Sequence, residues 1–542
     1  MLAGLAAAVL FSFLTAVSAG AQSAHAAPVP GTGLARTGPL VVRTDKGAVH
    51  GLVSGDAREF LGIPYAAPPV GSLRWRRPQP AMRWQGVRDA TKPGSTCAQT
   101  GSIATGVPNT STAEDCLYLN VYAPRDASFR RLPVMVWIHG GGFTGGAGSI
   151  YDASVIAPKG NAIVVTINYR LGALGYLALP SLDSESADHS SGDYGLMDQQ
   201  AALRWVRRNA AAFGGDARNV TIFGESAGAA SVCDNMASPT AAGLFTRAIA
   251  ESGCLLGQPS QQAAEQHGGS FAASLGCSDP ATAAACLRAK PVSDLLNAPG
   301  GGLLSWAPVT GGSTLPLPVA TAFAEGRYAH VPLLNGTNRD EGRFFVALEF
   351  DALGHPLTAA QYQQILAASY GSNAAQVLAH YPLSAYASPD LAYASVLTDT
   401  LFSCPALQAD NLAWRSRVYG YEFADPSPPN DFGLTFSFPL GAAHSTELQY
   451  VFQRIPLLDT VPPFTPSQLA LSDQMIGYWT RFAATGDPNG FLGFPRTGAA
   501  GPYWPLFTPQ RGQIQDLVPR GTHPSTGFAA EHQCAFWNQL GA

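Results

Sequence analysis

Charge is what this chain has little of. Of its 542 residues, 13 % are Asp, Glu, Lys or Arg, against about a quarter in an average soluble protein. That excludes a disordered chain or a coiled coil, both of which depend on charge where they lack a core. Lysine is scarcest, at Lys46, Lys92, Lys159 and Lys290 alone. With a net charge of -5 and no basic run, nothing here would hold a phosphate backbone, so no nucleic-acid partner is expected. Beyond the N-terminus no stretch of about 20 uninterrupted apolar residues occurs, which excludes a polytopic membrane protein. The 58 glycines and 42 prolines are scattered, with no repeat and no linker tract. No Cys-x-x-Cys pair occurs, so the cysteines do not read as a metal clip.

What is present is apolar: 46 % hydrophobic and 10 % aromatic residues, enough for a large core. Length alone suggests about three to four domains, but without a linker a single large α/β unit over 28–542 is the expectation. Ahead of it, residues 1–27 read as a signal peptide. Leu2 to Val17 is an apolar run, small residues follow, and Ala24-His25-Ala26 forms a cleavage site. No charged side chain precedes Arg36, so only the α-amino group supplies the usual positive end. A secreted protein is expected, or one held at the cell surface if the segment is retained, with no stable membrane insertion after cleavage. The eight cysteines, an even number, fit disulfides in that compartment.

Val134 to Ile138 and Ala162 to Asn168 are continuous β-branched and apolar runs. Shorter ones cover Val220 to Phe223, Ala248 to Glu251, Val331 to Leu334 and Val418 to Phe423. Continuous rather than alternating runs suit strands covered on both faces, as in a parallel sheet. The spacing predicts a helix over Met197 to Phe213, with Ala202, Trp205, Val206 and Ala210 on one face and a stop at Gly214-Gly215. Strands alternating with helices indicate an α/β sheet. About 255–330 and 345–415 read as helical insertions that cap it.

Chemistry enters at Gly224-Glu225-Ser226-Ala227-Gly228, where a strand run ends and a small-residue helix begins. A sharp strand-to-helix turn exposes a serine hydroxyl. Alone the pattern is weak in so glycine-rich a chain. Its context is His139-Gly140-Gly141-Gly142-Phe143, directly after the first strand run. Three glycines there allow backbone N–H groups to converge as an oxyanion hole, each donor worth about 10²–10³ in rate. A serine nucleophile also needs a base, and the base an acid, in the order Ser, acid, His. Asp340 and Glu341 follow a short strand run, and either carboxylate would serve. His355, His380, His444, His523 and His532 follow in turn, and spacing does not choose among them.

Together these motifs resemble the type-B carboxylesterases, the family of carboxylesterases, cholinesterases and related lipases. The resemblance covers residues 38 to 538. It rests on Phe60-Leu61-Gly62-Ile63-Pro64-Tyr65-Ala66, Leu73-Arg74-Trp75 and Glu114-Asp115-Cys116-Leu117-Tyr118-Leu119-Asn120. It continues through HGGGF, Asn168-Tyr169-Arg170, GESAG, Asp340-Glu341-Gly342 with Phe345, Gly441 with His444 and Glu447, and Thr485-Gly486-Asp487-Pro488-Asn489. It implies an α/β-hydrolase fold, with Ser226 as nucleophile, Glu341 as acid and His444 as base. The N–H groups of Gly141, Gly142 and Ala227 would form the oxyanion hole. Arg74 with Glu114, and Arg170 with Asp198, resemble the family's buried ion pairs, and Ser252 and Glu225 its polar residues near the triad. The disulfides implied are Cys97–Cys116, Cys277–Cys286 and Cys404–Cys534. Cys233 and Cys254 have no family pairing. Cys233 falls two turns into the helix after Ser226 and Cys254 after the next parallel strand, so a fourth bridge is expected if their Cα atoms come within about 7 Å.

Departures from the family bear on substrate. The stretch between Cys97 and Cys116 contains no aromatic residue, and only Ile103 and Val107 are large and apolar. It offers neither an aromatic face for a quaternary ammonium group nor an apolar face for an interfacial lid. Where cholinesterases carry bulky aromatics before Ala307-Pro308-Val309, this chain has Gly301, Gly302, Leu303 and Leu304, which implies a wider, apolar acyl side. The expected protein is a secreted serine carboxylesterase for small to medium apolar esters, using no metal and no organic cofactor. An interfacial lipase or polyester hydrolase, and a non-catalytic binding member of the family, are the alternatives.

Overall fold

Among the described residues the apolar runs of the sequence form the middle of an eleven-stranded sheet. In the computed structural model the described residues are 38–102, 105–127, 131–301, 305–430, 434–454, 463–490 and 501–541. The signal segment 1–27, Ile103, Gly302, Leu303 and Leu304 lie outside them. The strands in chain order are β1 (Val41–Arg43), β2 (Ala48–His50), β3 (Leu52–Ser54), β4 (Ala57–Pro64), β5 (Val87–Asp89), β6 (Tyr118–Pro124) and β7 (Leu132–Ile138). They continue as β8 (Ile163–Ile167), β9 (Gly215–Glu225), β10 (Arg247–Glu251), β11 (Leu333–Asn338), β12 (Val418–Phe423), β13 (Ile514–Leu517) and β14 (His523–Ser525). The large sheet runs β14-β13-β12-β11-β10-β9-β7-β8-β6-β4-β3, and β1, β2 and β5 form a small separate sheet. From β13 to β8 every neighbour is parallel. The flanking strands β14, β6, β4 and β3 pair antiparallel. This is the α/β-hydrolase arrangement.

The runs are continuous because both faces are covered. Val134, Val136 and Ile138 of β7 enter one core layer, while Met135 and Trp137 enter the other. β8 divides likewise, with Ile163, Val165 and Ile167 on one face and Val164 on the opposite one, as the two-residue period of a strand requires. Each such side chain, fully buried, contributes about 1.5–3 kcal/mol of transfer free energy. On the first face lie helix Tyr194–Phe213 and helix Ala227–Ala237. The former begins ahead of the expected Met197 and stops at Gly214, whose φ of 101° closes the helix in the left-handed region. On the other face lies helix Pro466–Thr485, started by a Thr465/Gln468 capping box.

Several strands differ from the sequence reading. The run expected at 331–334 starts at Leu333 and continues to Asn338, because pairing with β10 and β12 carries it through polar Asn335, Thr337 and Asn338. β4 and β6 are strands that periodicity did not mark. Between β10 and β11 lie helices Gln261–Ser274, Ala283–Arg288, Val292–Asn297 and Val319–Ala324. Helices Ala359–Tyr370, Ala374–His380, Pro389–Leu397 and Cys404–Ala413 lie between β11 and β12.

All eight cysteines are paired, as Cys97–Cys116, Cys233–Cys254, Cys277–Cys286 and Cys404–Cys534. The Cys233 and Cys254 Cα atoms are 5.3 Å apart. Arg74 meets Glu114 through two bonds of 2.6 Å, and Arg170 grips Asp198 at 2.7 and 2.8 Å. Among the described residues no helix is long and apolar enough to cross a membrane.

Candidate active site

Ser226 sits at the junction of β9 and helix Ala227–Ala237 with φ 58° and ψ -124°. A non-glycine residue in that region stores about 1–3 kcal/mol of strain, so the surroundings must impose it. The Ser226 N–H donates to Glu251 O at 2.8 Å, and Ser226 O accepts from Ala230 N at 3.0 Å. Gly224 and Gly228 let the turn press on the end of β7, since a Cβ at either position would come within 2.5 or 2.0 Å of Ile138 O. The same approach brings the glycine loop to the serine. A Cβ on Gly140 would meet Glu225 Oε2 at 2.8 Å and Ser226 Cβ at 3.1 Å.

That loop is held open by its own backbone. Gly141 and Gly142 have φ of 101° and 60°, and Gly141 O accepts from the N–H groups of Thr144 and Gly145 at 3.0 Å each. Among the described residues the N–H groups of Gly141, Gly142 and Ala227 have no backbone or side-chain acceptor. His139 supports the loop. Burial pushes its pKa down to about 4, so the ring is neutral, and it stacks on Tyr169 at 4.4 Å.

Of the five histidines that follow the acidic pair, the fold places one beside it. His444 Nδ1 lies 2.6 Å from Glu341 Oε2. The other oxygen of Glu341 accepts from Thr337 Oγ1 and from Asn338 N, both at 2.7 Å. Asp340 points elsewhere, to Arg343 at 2.7 Å and to Ala442 N at 3.0 Å. His355 and His523 are exposed, and His380 is exposed and lies beside Gln533. His532 is buried between Asp399 and Glu422.

His444 Nε2 lies 3.0 Å from Glu225 Oε1. Burial works against a charged ring, but the Glu225 and Glu341 carboxylates outweigh it and hold the His444 pKa above its ordinary value. Burial raises Glu225, opposed by the His444 charge and the Ser445 hydroxyl. Glu251, on β10 behind the serine, is pushed by burial up to about 8 and accepts from Trp479 Nε1 at 3.1 Å. Glu447, also buried, is pushed well up and accepts from Asn338 Nδ2. Ser252, singled out in the sequence, is fully buried with φ 61°, and its N–H donates to Gly336 O at 2.8 Å. Phe344, Phe345 and Phe402 surround the His444 ring with centroids 5.8, 5.0 and 4.9 Å away.

Sequence reasoning missed Glu251, Phe402 and Ser445 here. A carboxylate ending an apolar strand run was a usable signal for Glu251. Phe402 sits on the π-helical turn Thr398–Ser403, which the sequence does not mark.

The model of the carboxylesterase family matches residues 38–537. A fumonisin B1 esterase from Sphingopyxis macrogoltabida is 34 % identical over 513 residues, covering 91 % of this chain and 89 % of that protein. A para-nitrobenzyl esterase from Bacillus subtilis (strain 168) is 37 % identical over 467 residues, covering 83 % of this chain and 90 % of the relative.

Proposed function

The chain belongs to the carboxylesterase family and is a carboxylic ester hydrolase, and we propose that it acts outside the cell on small to medium apolar esters through an acyl-enzyme on Ser226. The observation that carries this reading is the bond from His444 to Glu341, set beside a strained serine turn whose Ala227 N–H joins those of Gly141 and Gly142 on the glycine loop. His444 takes the Ser226 proton as the hydroxyl oxygen attacks the ester carbonyl. Glu341 keeps the proton on Nδ1, leaving Nε2 as the basic atom, and steadies the imidazolium that forms. The N–H groups of Gly141, Gly142 and Ala227 receive the oxyanion. The alcohol leaves with the proton from His444, and water then cleaves the acyl-enzyme by the reverse proton path.

Three phenylalanine rings against the base favour apolar substrate groups. The relatives are by name a fumonisin B1 esterase and a para-nitrobenzyl esterase, which supports ester hydrolysis. Four disulfides support an extracellular setting.

Hydrolysis of p-nitrophenyl esters from C2 to C16, with and without emulsion, tests the substrate class. Activity on soluble short and medium chains is expected, and activity confined to emulsions would establish the interfacial alternative. Peptide mapping after a sulfonyl fluoride or organophosphate should find Ser226 labelled stoichiometrically. A label on another serine with activity lost would overturn the mechanism.

A further inference from the structure

Ser445 follows the histidine and has φ 68°. Serine pays for that left-handed backbone where glycine would not, so its side chain must return something. Its hydroxyl donates to Glu225 Oε1 at 2.6 Å. The same oxygen lies 3.0 Å from His444 Nε2. One oxygen of the residue preceding the nucleophile is therefore shared between the Ser445 hydroxyl and the reactive nitrogen of the base.

Nδ1 of His444 is committed to Glu341, so Nε2 is the atom left for Ser226, and it also lies 3.0 Å from Glu225 Oε1. When the His444 ring is charged, its Nε2–H donates to Glu225 Oε1 beside the Ser445 hydroxyl; once Nε2 has lost that proton and can act as the base, Ser445 is the donor that remains at Oε1 among the described residues. Glu225 is then a buried carboxylate among others: Glu341 behind β11, Glu251 on β10 and Glu447 on the histidine's own loop. Tyr151, Tyr169 and Tyr421 also face it from their own elements, and burial keeps their phenols neutral. Among the described residues no Lys or Arg bonds to Glu225.

We propose that Ser445 is a positioning residue for ester hydrolysis: its hydroxyl holds the Glu225 carboxylate ionised and in place while His444 Nε2 gains and loses its proton. This rests on the reading of Ser226 and His444 given above. The direction of the pH effect follows from the bond. A hydroxyl donating to a carboxylate favours its ionised form. Without it Glu225 keeps its proton to higher pH, and because turnover on this proposal needs Glu225 ionised, the acid side of the rate profile follows Glu225 upward; a limb that moves downward would report His444 released from the Glu225 charge and would overturn the proposal.

The test compares Ser445→Gly, which removes the hydroxyl and relieves the backbone, with Ser445→Asn, which tolerates the left-handed region and keeps a donor. Rates on a soluble p-nitrophenyl ester are measured across pH and normalised by organophosphate titration, with the melting temperature recorded. For Ser445→Gly, kcat per titrated site should fall roughly tenfold or more, the scale of one hydrogen bond to a charged group. KM should stay within about twofold and the acid limb rise by about one pH unit, with the melting temperature equal or higher; Ser445→Asn should recover most of kcat and the profile. Unchanged kcat and acid limb in Ser445→Gly, or an Asn variant no better than Gly, overturns the proposal. Failure of the underlying mechanism shows separately, as an unmodified chain that the organophosphate does not label at Ser226.

Discussion

Two buried imidazoles in this protein each sit between two carboxylates. His532 lies 2.6 Å from Asp399 and 2.7 Å from Glu422; His444 lies 2.6 Å from Glu341 and 3.0 Å from Glu225. The difference is in what surrounds the carboxylates. Around His532 they are saturated by the fold: Tyr381 donates to Asp399 at 2.6 Å and Arg339 to Glu422 at 2.7 Å. The ring itself lies two residues from Cys534, which is bonded to Cys404. Around His444 one carboxylate, Glu225, belongs to the residue beside a strained serine and also accepts from the Ser445 hydroxyl. Flanking acids raise the pKa of both rings. What sets His444 apart is the serine turn beside it, and on the reading proposed above that makes it the base.

The sharpest way to break this comparison is at the active site. Ser226→Ala should lower kcat by about 10⁶-fold while leaving the protein folded, because the change removes a hydroxyl and no packing group. Ester hydrolysis and the melting temperature check it, and substantial residual turnover would mean that His444 serves another nucleophile. Next in size, Glu341→Gln should lower kcat by about 10⁴-fold through loss of the useful tautomer. Asp340→Asn, whose carboxylate faces Arg343 and Ala442 N, should stay within about tenfold, since it removes no interaction with the base. Equal losses would show that the carboxylates act as one unit.

Much of this was legible before any coordinates. Continuous β-branched runs located the parallel strands, and GESAG following HGGGF in order located the serine turn and its glycine loop. What stayed illegible depends on strand order. His444 and Glu341 are 103 residues apart, and they meet because β11 and β12 are parallel neighbours, which no spacing reveals. The choice between Asp340 and Glu341, and among five histidines, came only from resemblance. β4 and β6 escaped because antiparallel strands with Arg58, Glu59 and Asn120 buried in them do not show the continuous apolar signal of β7. Ser445 escaped because a left-handed φ leaves no trace in a serine.

The disulfide that ties down the His532 segment differs from the others in the length of chain it closes. Cys404–Cys534 closes a sequence separation of 130 residues and Cys277–Cys286 one of 9. On the chain-entropy model the long loop contributes about 5 kcal/mol and the short one about 2–3. Replacing both cysteines of the long pair by alanine should lower the urea midpoint more than replacing the short pair. The reverse order would mean that the chain between Cys404 and Cys534 is already restrained when unfolded.

His532→Ala should cost about 3–5 kcal/mol, because it leaves two buried carboxylates without their shared cation, and kcat per titrated site should not change. Its pH dependence separates it from a packing defect. Burial opposes the charged ring, but the bonds to Asp399 and Glu422 and their charges outweigh it and push the pKa up to about 10 from the ordinary 6.5. A raised pKa contributes stability that is fully present below about 6.5 and is lost as pH rises through about 10. The urea midpoint of the unmodified protein should therefore decline between pH 7 and 10, and the gap to His532→Ala should narrow over the same interval. A gap that stays constant to pH 10 would show that the ring is held by shape and not by charge, and the likeness between the two imidazoles would then be geometric only.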